Sequence, residues 1–194
     1  MGCGQSPYKF LLNVGETKYF GIDIVDAEKF DYKNSNKTPF NGEDIPFEDD
    51  KFEGMICTEV LEHVRNSQKL IDEMHRVMKK GGTGIITIPW SARYHYIPYD
   101  YYRYTPSSLK TMFSQFESAE IQNRGTDIAS IANKVIVLWS CNLIPSQLWK
   151  WIFVPVWVAL LPILVVVVLI AHVALFSHLG SDDDPLGYTI IVKK

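Results

Sequence analysis

His95, Asp100 and Arg103 lie close together in the stretch SARYHYIPYDYYRYTP, Ser91 to Pro106. An unperturbed imidazole titrates near neutrality, so His95 could act as a general base, with Asp100 orienting its ring or binding the acceptor. Arg103 could hold an anionic group. The surrounding tyrosines admit a plainer reading, an aromatic lid whose polar tips face water. A second constellation is MICTEVLEHV, Met55 to Val64, where an apolar run into Cys57 is followed by Thr58, Glu59, Glu62 and His63. Open α/β sheets bind ligands beyond the carboxyl ends of their strands, which would put Thr58 and Glu59 on the rim of a site. The alternative is a solvated helix start whose acids favour the positive end of the dipole. In that reading Glu62 and His63 serve the following helix. A third is GCGQSP at the start of the chain. Gly2 and Gly4 would let backbone approach a ligand closely. Asp23 stands about twenty residues further on, where an acid can accept from both hydroxyls of a ribose. The third glycine of the dinucleotide fingerprint is missing, which counts against NAD or FAD.

The elements that must position these residues follow from periodicity. KYFGIDIV, Lys18 to Val25, reads as a strand ending near Asp23, and FEGMICT as the next. NGEDIPFEDD between them is turn-rich. Ser67 can cap a helix with Leu70, Ile71, Met74, Val77 and Met78 on one face, closed by Lys79, Lys80 and a left-handed Gly81. TGIITIP, Thr83 to Pro89, is another strand. Thr105 and Pro106 open a helix running to about Phe116, while ESAEIQNR and GYTIIVKK read as strands. Strand and helix in alternation predict an α/β fold with a mostly parallel sheet.

These segments, in this order and spacing, resemble the class I S-adenosylmethionine-dependent methyltransferases. The likeness is to the small-molecule group whose pattern runs GCG, GxD, an IPF turn, an E-x-LEH and a K-x-GG. It covers Met1 to about Arg124, and LGYTIIVKK is similar to the family's last strand. The resemblance implies a Rossmann-like sheet with flanking helices and S-adenosyl-L-methionine as cofactor. It places Gly2, Cys3 and Gly4 under the methionine end, Asp23 on the ribose and Ile24 against the adenine. Asn41 falls where the family has an Asp for the adenine amino group, and an amide oxygen can accept the same bond without the charge. Glu53 replaces the Asp of the family's FD. Thr58 and Glu59 match positions beside the cofactor's amino-acid portion. His95 and Asp100 fall in the region where the family binds its acceptor.

Two features depart from the pattern. The family's first, central strand is not in this sequence, so a gap in the sheet is expected, and with it an incomplete start. The stretch Trp151 to Ser181 contains no Asp, Glu, Lys or Arg, and its apolar run Ile152 to Phe176 exceeds the ~20 residues that cross a bilayer. Trp149, Trp151 and Trp157 suit the membrane interface, and Pro155 and Pro162 would kink such a helix. If GYTIIVKK completes the sheet, both ends of the insertion must lie on one side. That leaves a membrane-seated hairpin or interfacial segment, or alternatively a helical lid or dimer interface.

The expected organisation is therefore a methyltransferase core over 1–125, an apolar helical insertion over 126–181 and the final strand over 182–194. With 19 basic and 22 acidic residues and no basic run, nucleic acid is not an expected partner. Cys3, Cys57 and Cys141 are odd in number and never paired as CxxC, so neither a disulfide frame nor a metal site is expected. The reading is a methyltransferase acting on a small or lipid-linked acceptor at the cytoplasmic face of a membrane. Its rival is a catalytically inactive membrane-associated protein that keeps the fold.

Overall fold

The computed structural model describes residues 1–12, 18–24, 37–177 and 179–194. Among them six strands form two sheets. β1 (Gly21–Ile24) pairs in parallel with β2 (Lys37–Phe40), Asp23 standing opposite Pro39. The larger sheet has the order β3-β4-β6-β5, with β3 (Phe52–Thr58), β4 (Met78–Pro89), β5 (Ser118–Arg124) and β6 (Gly187–Lys193). β3 and β4 are parallel, Ile56 facing Ile85 and Thr58 facing Thr87. The α/β, Rossmann-like expectation holds. Val25, the last residue of the expected first strand, lies outside the described residues.

No described residue forms a strand between β1 and β3. Their facing sides instead line a cavity of about 790 Å³, with Phe20, Ile22, Phe47, Phe52, Met55 and Ile56 on its walls. The Met1 ammonium donates to the Ile56 carbonyl (2.7 Å) and the Cys3 amide to the Ile22 carbonyl (3.1 Å), so the first turn touches both strands. A strand covered on one side only explains why β3, which reads as buried, fully buries Cys57 alone.

The chain divides into two compact units: Met1–Pro89 with Arg93–Gln122 and Tyr188–Lys194, and Trp90–Ala92 with Asn123–Gly187. The first has its core on α2 (Ser67–Val77), where Leu70, Ile71, Met74 and Val77 are at most 1% exposed. Burying each such side chain is worth about 1.5–3 kcal/mol. Asn66, not Ser67, is the cap, its side chain accepting from the Lys69 amide. Ser67 is buried, and its hydroxyl accepts from Tyr104 (2.8 Å) instead. α2 ends at Val77, because Met78 is already extended, and Lys79 and Lys80 belong to β4. Gly81 does adopt a positive φ of 78°, but within β4 rather than as a helix cap. α3 (Pro106–Met112) is capped by Thr105 as expected and stops before Phe116.

In the second unit α4 (Asp127–Leu143) leads through a 3₁₀ turn at Leu148–Phe153 to α5 (Val154–Ala159) and α6 (Leu161–Ser177). The long apolar run is thus not one helix. Pro155 lies in the first turn of α5 and Pro162 in that of α6, where a missing N–H costs nothing, so the prolines start helices rather than kink one. Among the described residues no single helix is long and apolar enough to cross a membrane, which corrects the expectation of a transmembrane helix. α4 and the stretch Leu148–Ala159 pass that test only together, bent by 112°. The two ends of the insertion are joined: the Asp127 amide donates to the Ser181 carbonyl (3.0 Å) and the Thr126 hydroxyl to the Leu179 carbonyl (2.8 Å).

Candidate active site

The turn Gly2–Gly4 is built for close approach. Gly2 and Gly4 have φ of 61° and 45°, and a Cβ on Gly2 would lie 2.3 Å from Val60 Cγ2. Only glycine avoids that clash. Beside the turn, at the carboxyl end of β1, Asp23 is 8% exposed. Its Oδ2 accepts from the Gly4 amide (2.8 Å) and its Oδ1 from the Ile24 amide (2.9 Å). A carboxylate offers about four acceptor positions, so two remain for a pair of hydroxyls. Ile24 is 37% exposed, free to carry a flat apolar ligand, and Gly42 lies against it.

Asn41 is engaged locally. Its Oδ1 accepts from the Glu43 and Asp44 amides (2.9 and 2.7 Å), and its Nδ2 donates to Asp44 (2.6 Å). That is the Asx turn expected of Asn before a tight bend. The turn continues into a clamp formed by Arg76, which donates to the Ile45 and Phe47 carbonyls and to Glu73 and Asp49. Arg76 holds the Glu73 carboxyl below its usual range. Glu53 pairs with Lys79 at the surface, so the departure from Asp there leaves an ion pair intact.

Thr58 ends β3 and Glu59 follows it. Glu59 takes a positive φ of 53°, donates its amide to the Thr87 carbonyl (2.9 Å) and accepts from the Thr87 hydroxyl (2.9 Å). Of the expected cofactor residues, Gly2, Cys3 and Thr58 line the cavity beside β1 and β3, whereas Gly4, Asp23, Ile24, Asn41 and Glu59 do not. The cavity therefore takes in only part of the expected cofactor set. Burial pushes the Cys57 thiol up to about 12, and Cys3 is raised too, so neither is a nucleophile at neutral pH.

The loop after β4, Ser91 to Tyr104, is pinned onto the turn after β3. Tyr101 donates its amide to the Glu62 carbonyl (2.8 Å), Tyr102 its hydroxyl to the Arg65 carbonyl (2.9 Å), and Tyr104 its hydroxyl to the Leu61 carbonyl (3.0 Å). Asp100, its side chain 1% exposed, receives Arg103 on both oxygens (2.6 and 2.8 Å) and the His95 amide (3.1 Å). Arg103 above all holds its carboxyl down at about 2. The ring of His95 sits with Nδ1 3.1 Å from Asp100 Oδ2 and 2.8 Å from the Arg93 carbonyl. That is the orienting contact expected of the pair, and it leaves Nε2 as the free lone pair.

The sequence did not foretell what stands next to His95. Glu62 and His63 do not serve the following helix; they form a separate 3₁₀ turn, Leu61–His63, and meet the loop. The His63 and His95 ring centroids are 4.9 Å apart, with Tyr96 against both. Glu62 is fully buried with no hydrogen-bond partner for either carboxylate oxygen, and burial pushes its carboxyl up to about 7. The only advance signal was the adjacency of two acids and a histidine at a strand end, and nothing in it pointed to a partner 32 positions away.

This arrangement of glycine turn, acid at the end of the neighbouring strand and loops after β3 and β4 is similar to the architecture of the class I S-adenosylmethionine-dependent methyltransferases. Residues 1–86 match the family model described as a methyltransferase domain, so the resemblance read in the motifs is borne out over that stretch. The chain is similar in fold to a SAM-dependent methyltransferase from Archaeoglobus fulgidus, with a TM-score of 0.59 and 19% identity over 100% of this chain and 83% of that one. It is similar also to phosphoethanolamine N-methyltransferase 2 of Haemonchus contortus in complex with S-adenosyl-L-methionine (TM-score 0.56, 15% identity, 100% of this chain and 47% of that one). At these identities the likeness is one of fold. In sequence it matches two uncharacterized proteins of Methanocaldococcus jannaschii. One is 47% identical over 47 residues (24% of this chain, 23% of the relative) and the other 32% over 87 (45% and 38%). The matched stretches thus span less than two fifths of either relative.

Proposed function

We propose that this chain transfers the methyl group of S-adenosyl-L-methionine to a small or lipid-linked acceptor at the cytoplasmic face of a membrane. The observation that carries the donor side is the Asp23 carboxylate, fixed by the Gly4 and Ile24 amides at the end of β1 with acceptor positions to spare. Gly2, Cys3 and Gly4 would pass under the amino-acid portion, Thr58 and Glu59 flank it, Ile24 cover the adenine, and Asn41 reach its amino group at the cost of competing with two backbone donors. The sulfonium methyl is electrophilic on its own, so the protein's task is alignment and exclusion of water. On the acceptor side, Asp100 fixes His95 through Nδ1, which leaves Nε2 to take a proton in the ion-free chain.

The membrane seat rests on the second unit. α6 is apolar all round, and of its described side chains it buries only Ala171 and Ala174, while Ile163, Val165, Val166, Leu169, Ile170, Val173, Leu175 and Phe176 are exposed. Exposed apolar surface of this extent marks a contact with lipid or protein. Because Thr126 and Asp127 are hydrogen-bonded to Leu179 and Ser181, both ends of the insertion lie together, as a hairpin entering one leaflet requires. Lys150 lies within the insertion, in the turn between α4 and α5, with Trp149 and Trp151 exposed beside it.

The test combines both halves. Calorimetry should show S-adenosyl-L-methionine binding, and labelled methyl should move into a membrane extract. Binding without transfer to any acceptor would favour the inactive reading. In a Cys141→Ser background, since Cys141 is exposed and the other two cysteines are buried, a cysteine at Asp182 should label from the cytoplasmic side. One at Lys150 should label from that side or be protected. Labelling of Lys150 from the far side would overturn the one-leaflet seat.

A further inference from the structure

We propose that Glu62, His63 and His95 form a binding site for one divalent transition-metal ion, Zn²⁺ being the expected occupant. A carboxylate oxygen and one nitrogen from each ring lie within 4.8 Å of one another. Nε2 of His63 is one of them, 3.6 Å from Glu62 Oε1, and Nε2 of His95 is taken as the other because both Nδ1 atoms are engaged. Nδ1 of His63 lies 2.7 Å from the Tyr99 carbonyl, and Nδ1 of His95 lies 2.8 Å from that of Arg93. Each ring thereby carries its proton on Nδ1 and presents an Nε2 lone pair. Metal-bound histidines have this same outer arrangement, the second nitrogen donating to a carbonyl or carboxylate that fixes tautomer and ring. Asp100 Oδ2, 3.1 Å from His95 Nδ1, supplies the carboxylate as well.

Glu62 is the independent observation. It is fully buried, its oxygens have no hydrogen-bond partner, and Oε1 is 3.6 Å from Nε2 of His63. A carboxylate in that position calls for a counter-charge. The nearby guanidinium of Arg103 is engaged on both oxygens of Asp100, and Glu59 and Asp100 add negative potential at Glu62. A cation drawn by about 1 Å of ligand movement to bonds of ~2.0–2.2 Å would satisfy all three groups. Two imidazoles and one carboxylate suit Zn²⁺ and its transition-metal neighbours, whereas Mg²⁺ and Ca²⁺ prefer all-oxygen sites. Cysteine spacing bears on thiolate sites and is silent about this one.

Three protein ligands leave at least one coordination position open. In the loaded protein the Nε2 pair of His95 belongs to the ion, and His95 acts on whatever binds there through the metal rather than as a free base. Ion binding needs no methyl donor, so its test stands apart from the methyl-transfer reading.

The full chain, stripped with a chelator in a Cys141→Ser background, would be titrated with Zn²⁺ by calorimetry and with Co²⁺ by visible absorption. One ion per chain is expected, with Co²⁺ giving d–d bands of a nitrogen- and oxygen-ligated site. His95→Gln changes a half-exposed residue, should leave the melting temperature of the stripped protein unchanged, and should weaken Zn²⁺ at least tenfold. His63→Gln should do the same. Glu62→Gln should also weaken the ion, and if it fails to fold, the two histidine variants still decide. Absence of stoichiometric binding, or affinity unchanged in both histidine variants, would overturn the site.

Discussion

α2 and α6 are drawn from the same apolar residues and bury them in opposite ways. α2 keeps polar side chains on one face and places Leu70, Ile71, Met74 and Val77 wholly inside the first unit. α6 has no polar face, and of its described side chains it buries only the two alanines that meet its neighbours. An amphipathic helix needs a core on one side, whereas a helix apolar on every side needs cover all round, from protein or from lipid. The sequence difference between the two is one of pattern, and the pattern states which environment each was selected to meet.

The largest effect should come from breaking that contrast. Leu70→Ala removes fully buried methyl groups and is expected to destabilise the first unit by about 2–5 kcal/mol, read by denaturant unfolding. Leu169→Ala, at a position 60% exposed, should leave that transition unmoved. Replacing Leu169 and Val173 together by Asn should instead lower the fraction that sediments with membranes. Equal loss of stability from both helices would mean that α6 is covered by protein, as in a lid or dimer interface.

What could be read beforehand divides along the same line. Local patterns were legible: the face of α2, the Thr105–Pro106 helix start, the strands at Phe52–Thr58 and Gly187–Lys193. β2, with the sequence KTPF, was missed because a four-residue strand with Pro39 inside it has no periodicity to detect. The cap of α2 was misplaced by one residue because Asn66 and Ser67 both qualify chemically, and the choice fell to the burial of Ser67 under Tyr104. The residues expected to hold the cofactor were chosen through motif order, and the structure adds that Asn41 is tied into its own turn. The Glu62–His63–His95 cluster was not legible, since closing the loop of Ser91 to Tyr104 onto the turn after β3 depends on the Tyr102 and Tyr104 hydroxyls reaching carbonyls 37 and 43 positions away, and on the Tyr101 hydroxyl accepting from the Arg65 side chain 36 positions away.

A smaller effect sharpens the contrast within the first unit, between a residue placed for ligand and one placed for fold. Asp23→Ala should weaken S-adenosyl-L-methionine by roughly 1.5–3 kcal/mol, through the lost charge-assisted bond to the ribose. Stability should fall by less, since the Gly4 and Ile24 amides are only partly buried and can turn to water. Unchanged affinity by calorimetry would remove Asp23 from the donor site.

The smallest expected effect concerns the clamp beneath the Asn41 turn. Glu73 has its carboxyl held below the ordinary range, first by hydrogen bonds from Arg76 and then by the Ile45 amide (2.9 Å). A carboxyl whose folded pKa is depressed binds its proton more readily in the unfolded chain. Its contribution is therefore complete above the unfolded value of about 4.3 and is lost as pH falls through the lower folded value. Urea unfolding of the parent should accordingly weaken below about pH 4 by an amount on the order of 1 kcal/mol, discounted because both side chains are partly exposed. Glu73→Gln should lower stability at pH 7 and show less of the acid decline, the two curves converging at low pH. A variant curve parallel to the parent's over the whole range would show that the Glu73–Arg76 pair does not hold the turn, and that Asn41 is fixed by its own hydrogen bonds alone.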